Sequence, residues 1–250
     1  MTRFEDYRDR YADISMRRED GILEITFTTD GGSLKWSERA HRTFPEAFHD
    51  IATDPDNLVV IMTGAGDNFL VEMNFETRAQ SPEDWDKIAR EGRRMIFELL
   101  DIGVPVIAAV NGPVTEHAEV ALLSDIVLAS ATASFCDREH FPSGVVPGDG
   151  VHVVWPLLLG PNRGRHFLLT GRTLTATEAL DLGVVAEVLP QDQLLPRAWE
   201  LARQIATRPP LTLRYTRACL TMRLREELRA GLAHGLALES LAAVDWRSFR

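Results

Sequence analysis

Short apolar runs alternate with longer helical patterns in this chain up to about residue 190. Asn57–Gly64 and Val104–Val110 are short runs rich in β-branched residues, which is typical of strands buried on both faces of a sheet. The segments between such runs carry apolar residues at helical spacing. Strands that alternate with helices predict an α/β domain.

The same patterns give the bounds of the predicted elements. Strands are predicted at Gly21–Thr28, Asn57–Gly64, Val104–Val110, Asp125–Ala129 and Gly183–Leu189. Helices are predicted at Ala40–Thr53, Pro82–Leu100 and Glu116–Leu123. After Leu189 the strand signal ends, and residues 193–207 and 210–244 predict about three further helices. We therefore expect a core over residues 1–190 and a helical region over residues 191–250.

The charge and the cysteine content exclude several classes of protein. The 250 residues carry 27 basic and 37 acidic side chains, a net charge of −10, which argues against binding to nucleic acid or to an anionic membrane. Cys136 and Cys219 give no disulfide framework and fit a reducing compartment. The N-terminus lacks a signal-peptide pattern, and no apolar run is long enough to span a bilayer. We expect a cytoplasmic protein that acts on a small molecule.

The segment from Ala133 to Gly150, ASFCDREHFPSGVVPGDG, concentrates residues that can carry chemistry. His140 is a base that titrates near neutral pH, and Asp149 is a carboxylate that can orient it. Glu139 is a second candidate acid or base. The histidines show no metal-ligand spacing backed by cysteines or carboxylates, so we expect neither a metal nor a cofactor.

Four longer motifs resemble a known family. They are PVIAAVNGPV at 105–114, SDIVLASATASF at 124–135, VVPGDG at 145–150 and LTGRTLTATEALDLGVVAEVLP at 169–190. In this order they are similar to the crotonase (enoyl-CoA hydratase/isomerase) superfamily. The resemblance implies a spiral of ββα units and a C-terminal helical region that makes a homotrimer, often paired into a hexamer.

Two segments depart from the members of that family that act on CoA thioesters. Those members usually carry glycine-rich turns whose N–H groups form an oxyanion hole for a thioester enolate. Here the corresponding segments read FLVEMNF at 69–75 and NGPVTEHAEVA at 111–121, with Glu116, His117 and Ala118 in place of the glycines. Side chains there are expected to crowd a thioester and to change the backbone angles. We therefore do not expect the usual oxyanion hole.

The departures resemble a narrower group, the β-diketone hydrolases of the 6-oxocamphor hydrolase type. The matching segments are SLKWSERAH at 33–41, NGPVTEH at 111–117, HFPSGVVPGDGVHVVWP at 140–156, and Glu239 in the last helix. Such enzymes cleave a carbon–carbon bond between two ketones by a retro-Claisen reaction, without CoA. The resemblance carries catalytic or binding roles onto Trp36, His41, His117, His140, Asp149 and Glu239.

These residue types suit that chemistry. His140 can deprotonate a water molecule near neutral pH, and Asp149 can fix its tautomer and stabilise the imidazolium. His117 can donate a hydrogen bond to the second carbonyl, in place of a main-chain donor. Trp36 is expected in an apolar wall of the pocket, with His41 and Glu239 as a supporting hydrogen-bonded pair.

Other functions stay open at this point. Glu119 and Glu139 align with the two catalytic glutamates of hydratases, so that addition of water to an enoyl-CoA is an alternative. A non-catalytic binding protein of the same fold is a third interpretation. Each residue also has a purely structural alternative to its catalytic role: His117 would only cap a helix, and Asp149 would only close a turn.

Overall fold

A computed structural model describes residues 2–75, 79 and 81–246 of the chain. The strands are β1 (Ile14–Glu19), β2 (Ile22–Phe27), β3 (Lys35–Trp36), β4 (Val59–Gly64), β5 (Glu72–Met73), β6 (Val106–Val110), β7 (Ile126–Ser130), β8 (Ser134–Phe135), β9 (Leu174–Thr175) and β10 (Glu187–Leu189). Six of them form one sheet in the order β1-β2-β4-β6-β7-β10. β1 pairs with β2 in antiparallel fashion, and the other neighbours are parallel.

Ten helices surround the sheet in the part of the chain that the structure describes. They are α1 (Phe4–Tyr7), α2 (Glu38–Thr53), α3 (Pro82–Asp101), α4 (Glu119–Leu122), α5 (Val151–Leu159), α6 (Pro161–Thr170), α7 (Ala176–Asp181), α8 (Gln191–Ala206), α9 (Pro210–Leu220) and α10 (Met222–Trp246). A single 3-10 turn, Phe141–Ser143, interrupts the loop between β8 and α5. The arrangement is a mixed α/β fold with one central sheet, as the alternation of strands and helices in the sequence predicts.

The central strands are buried on both faces because each face meets its own layer of helices. Along β4, Val60 and Met62 join the larger core, while Val59 and Ile61 join a second core under α8. This alternation is the two-residue period of a strand. It explains why the sequence of β4 is apolar at nearly every position.

The bounds of two predicted elements change for local reasons. The predicted strand Gly183–Leu189 begins only at Glu187, because Gly183 has a φ of +74° and the N–H of Val184 bonds back to the carbonyl of Ala179. The predicted helix Glu116–Leu123 is limited to α4, because His117 has a φ of +45°. The other predicted strands and helices lie where expected, within a few residues.

The C-terminal helices include three long elements, as predicted, and they pack closely on the rest. α8 lies on the sheet through Leu194, Ala198 and Trp199. α10 packs against α3 and α5. The division at residue 190 stays a prediction, as does the role of residues 191–250 in a homotrimer, and residues 247–250 lie outside the described ones. In the described ranges, no helix has the length and apolar character needed to cross a membrane.

Candidate active site

The turn after β6 and the loop after β8 run side by side. The N–H of Val114 donates to the carbonyl of Ser134 at 2.7 Å, and the N–H of Arg138 donates to the carbonyl of Thr115 at 3.1 Å. These main-chain bonds fix the two segments relative to each other. They bring Glu139 beside His117, although the two residues are far apart in the sequence.

His117 adopts a backbone conformation that favours glycine. Its φ is +45°, in the left-handed region that costs other residues about 1–3 kcal/mol. Its N–H donates to Oε1 of Glu139 at 2.6 Å. The sequence predicts that a side chain here changes the backbone angles. The turn instead keeps a φ that is typical of glycine, and the carboxyl of Glu139 accepts a hydrogen bond from the main-chain N–H of His117.

Two carboxyl groups and an indole hold the imidazole of His117. Nδ1 lies 2.9 Å from Oε1 of Glu119, and Nε2 lies 3.5 Å from Oε2 of Glu139. The ring of Trp36 packs against it with the centroids 4.7 Å apart. The sequence predicts Trp36 in the cavity wall, but Trp36 is fully buried and is not among the described residues that line the cavity. It therefore supports the site through His117.

His140 has a carboxylate on each ring nitrogen. Nδ1 lies 2.6 Å from Oδ1 of Asp137, and Nε2 lies 3.4 Å from Oδ2 of Asp149. The sequence predicts Asp149 as the residue that orients His140, but the closer partner is Asp137. Its position three residues before His140 in the same loop is a signal that sequence reasoning missed.

Asp149 lies between the two imidazoles. Its Oδ2 is 3.4 Å from Nε2 of His140 and 3.5 Å from Nδ1 of His117, distances longer than those of ordinary hydrogen bonds. Its Oδ1 accepts from the N–H of Val151, in the first turn of α5, at 3.4 Å. Gly150 makes the sharp turn between them with a φ of +122°. Asp149 therefore serves the turn and also faces both histidines.

His41 and Glu239 do not form the hydrogen-bonded pair expected from the sequence. Nδ1 of His41 lies 2.9 Å from Oε2 of Glu91, on α3. Oε2 of Glu239 is buried and has no hydrogen-bond partner among the described residues. Both His41 and Glu239 nevertheless line the cavity. Glu91 is distant in sequence from His41, so no local pattern points to it.

A contact between two glycines places Glu239 in the site. The Cβ atom of any side chain at Gly148 would collide with the carbonyl of Gly235, and one at Gly235 would collide with the carbonyl of Gly148. The absence of side chains lets α10 approach the loop that carries Asp149. Glu239 follows Gly235 by about one helical turn, so this approach brings its carboxyl to the cavity.

A cavity of about 400 Å³ opens onto these groups. His117, Glu139, His140, Asp149, His41 and Glu239 form its polar part. Apolar side chains form most of the remaining wall: Met73, Phe75, Trp85, Ile88, Met95, Val145, Val146 and Leu236. The described residues that line the cavity include no arginine or lysine. The site thus fits a largely apolar ligand with a few polar atoms.

The charges around the two imidazoles change their protonation. Burial alone would lower the pKa of His117, but the carboxyls of Glu139 and Glu119 outweigh it and raise the pKa well above its usual value. Burial of His140 is outweighed in the same way, mainly by Asp149 and then by Glu139 and Asp137. His140, the predicted base, therefore loses its proton at a more alkaline pH than the near-neutral pH that its sequence context predicts.

The carboxyl groups respond in opposite directions. Burial raises the pKa of Glu139 to about 8, helped by the charges of Asp149 and Glu119 and opposed by the two imidazoles. Burial, with the charge of Asp149, also raises the pKa of Glu239 to about 8. For Asp149 burial is overcome by His140 and His117, which hold its pKa well below the usual range. Asp149 is thus the carboxylate that stays charged.

Four residues of the site have the composition of a metal centre. One ligand atom from each of His117, Glu119, Glu139 and Asp149 lies within 4.8 Å of the others. The nitrogens of His117 already face Glu119 and Glu139, so these groups neutralise one another. The absence of a metal stays a prediction.

Comparison with known sequences identifies the family. The sequence model described as enoyl-CoA hydratase/isomerase matches residues 17–241. The carnitinyl-CoA dehydratase of Salmonella arizonae is 34% identical over 202 residues, which cover 80% of this chain and 77% of that protein. The corresponding dehydratase of Salmonella enteritidis is 32% identical over the same length.

The solved structures that resemble this chain include proteins with two different activities. A β-diketone hydrolase from the cyanobacterium Anabaena sp. PCC 7120, bound to (S)-3-oxocyclohexyl acetic acid, is 48% identical with a TM-score of 0.95. The match covers 97% of this chain and 98% of that one. An enoyl-CoA hydratase/isomerase from Mycobacterium paratuberculosis is 26% identical, with a TM-score of 0.87 and 94% of each chain covered.

Proposed function

This chain belongs to the enoyl-CoA hydratase/isomerase family, and within that family we propose that it hydrolyses a carbon–carbon bond of a cyclic β-diketone to give a keto acid. The observation that carries the proposal is the pair of imidazoles, His117 and His140, with the carboxylate of Asp149 between them at the wall of an apolar cavity. The likeness to the Anabaena hydrolase supports the same activity.

The reaction assigns a separate task to each imidazole. His140 removes a proton from water through Nε2, and the oxygen of the water adds to one carbonyl carbon. Asp137 holds Nδ1 and Asp149 stabilises the imidazolium that forms. The bond between this carbon and the central carbon then breaks. Its electron pair gives an enolate whose oxygen accepts from Nε2 of His117, and the proton returns to the central carbon.

The charges of the cavity favour an uncharged substrate. The described lining residues offer three histidines and three carboxyl groups but no arginine or lysine. Nothing in that lining neutralises a phosphate, whereas a diketone needs only hydrogen-bond donors at its two oxygens. The apolar walls remove the ring of such a substrate from water.

A CoA-dependent hydratase or dehydratase is the second candidate. It is favoured by the sequence relatives and by Glu119 and Glu139, whose carboxyls lie close together. Against it, the imidazole of His117 lies between these two glutamates, where a hydratase would need its water. Glu119 is also fully buried and does not line the cavity.

A substrate screen separates the candidates. Bicyclic and monocyclic β-diketones are tested beside crotonyl-CoA, following the loss of diketone absorbance and of the enoyl thioester. We expect turnover of a diketone without added CoA, metal or nucleotide. Hydration of crotonyl-CoA with no turnover of any diketone would overturn the proposal. Turnover of neither would favour the non-catalytic binding protein.

A further inference from the structure

The carboxyl of Glu139 covers a main-chain hydrogen-bond donor at the cavity wall. Its Oε1 accepts from the N–H of His117 at 2.6 Å, while its Oε2 lies 3.5 Å from Nε2 of the same residue. Both Glu139 and His117 line the cavity. A ligand oxygen placed at this wall therefore meets an N–H group that already has a partner.

The left-handed turn makes this N–H unusual. With a φ of +45° at His117, the N–H bonds to Glu139, while the N–H groups of Val120 and Ala121 bond to carbonyls of the same turn. Without Glu139 the donor would lie beside the cavity with no partner from its own turn. A buried, unpaired N–H binds an oxygen strongly, and a charged oxygen more strongly still.

We propose that Glu139 is a specificity-determining residue that caps the main-chain N–H of His117 and reserves ligand carbonyls for the imidazoles. The cap excludes ligand oxygens from the main-chain donor. A ligand must then place its oxygen on Nε2 of His117 or on His140. This inference rests on the proposed function for the identity of the reaction, but the cap itself is a feature of binding.

The cap has a direct consequence for the product. Hydrolysis of a diketone leaves a carboxylate, and an uncovered N–H at the wall would retain it. With Glu139 in place, the carboxylate finds that donor occupied. The cap therefore favours release of the keto acid over its retention.

The test compares variants that remove the cap with one that keeps it. Glu139→Ala and Glu139→Ser have side chains too short to reach the N–H of His117, whereas Glu139→Gln removes the ionisable group but keeps an acceptor oxygen. Glu227→Ala is the control, since it removes an exposed carboxyl of α10 that does not line the cavity and does not touch this N–H. Isothermal titration with (S)-3-oxocyclohexyl acetic acid gives the dissociation constant for each protein.

We expect Glu139→Ala and Glu139→Ser to bind the keto acid about tenfold more tightly than the wild type, the scale of one hydrogen bond to a charged group. Glu139→Gln and Glu227→Ala should change the affinity much less. The amide hydrogen of His117 should also exchange with solvent faster in Glu139→Ala, because its partner is gone.

Four results would overturn the proposal. Equal gains in Glu139→Gln and Glu139→Ala would mean that the ionisable group of Glu139 matters and the cap does not. An equal gain in Glu227→Ala would mean that any lost carboxyl has the effect. No gain in affinity in either short variant, or an unchanged exchange rate of the His117 amide, would mean that Glu139 does not cap this N–H. Binding and exchange need no turnover, so a wild type that hydrolyses no diketone leaves this result standing and refutes only the proposed function.

Discussion

The two imidazoles of the site are held in different ways. His140 sits in a loop and is fixed by its own neighbour, Asp137, at 2.6 Å. His117 sits in a strained turn and is fixed from outside that turn by Glu139, which comes from the next loop, as well as by Glu119. The position of His140 is thus local in sequence, whereas that of His117 depends on the register between two segments. Asp149 is the group that both imidazoles share.

Removing the shared carboxylate should have the largest effect, because it affects both imidazoles at once. Asp149→Asn keeps the shape but loses the charge that supports an imidazolium. We expect a loss of about a thousandfold or more in kcat/KM for a diketone, with the fold retained. Glu139→Gln should cost far less. If Glu139→Gln is the crippling change and Asp149→Asn is mild, the two glutamates carry the chemistry and the histidines do not.

The second prediction separates the two imidazoles from each other. His117→Ala should lower kcat/KM by about a hundredfold or more and weaken substrate binding as well, because the same hydrogen bond holds the ground-state carbonyl and the enolate. His140→Ala should act mainly on kcat, because its target is water. Steady-state kinetics on both variants gives the comparison. Full activity in His117→Ala would reduce this residue to a structural role.

The third prediction tests the local support of His140. Asp137→Asn should lower kcat by about tenfold, on the scale of one charge-assisted hydrogen bond. It should also lower the pKa of His140, since the carboxylate at Nδ1 helps to hold that pKa up. A base works in its deprotonated form, so the rise of kcat with pH should move to lower pH in the variant. An unshifted profile with a lower rate would mean that Asp137 only maintains the fold.

The last prediction concerns stability, and it lies outside both imidazoles. The pKa of Glu239 is about 8 in the folded protein and about 4.5 when unperturbed. A raised pKa contributes stability that is complete below the unperturbed value and is lost as pH rises towards the folded value. The melting temperature of the wild type should therefore fall between about pH 5 and about pH 8. Glu239→Gln removes this group, so its melting temperature should fall less over the same range. Parallel curves for the two proteins would show that Glu239 contributes nothing to this dependence.

Local patterns predicted one part of the molecule well. The strands β4, β6 and β7 are continuous apolar runs because helices cover both faces of the sheet. Their apolar composition is therefore enough to predict that they are buried. His140 and Asp149 were predicted to be together because a single loop carries them. The helices α5, α6 and α7 were not predicted, although α7 lies within the motif at 169–190 and most of α5 lies within the matching segment at 140–156.

Contacts between distant segments could not be predicted in the same way. Glu91 reaches His41 from α3, fifty residues further along the chain, and no periodicity links the two. Glu139 was considered a hydratase acid, while its bond to the N–H of His117 follows from the pairing of two loops. The sign of φ at His117 was also not predicted, because it depends on a partner outside the turn.

The contact between Gly148 and Gly235 has a practical meaning for enzyme redesign. A methyl group at either position would push α10 outward and would move Glu239 with it. A single added carbon atom would therefore displace the side of the cavity that α10 forms. Gly92, on α3, offers the opposite case, since an added Cβ there meets nothing closer than 3.9 Å. Gly92→Ala would reduce the volume of the cavity slightly without moving the helix. A glycine-to-alanine substitution would therefore make a small change in cavity volume on α3, but it would displace the whole helix on α10.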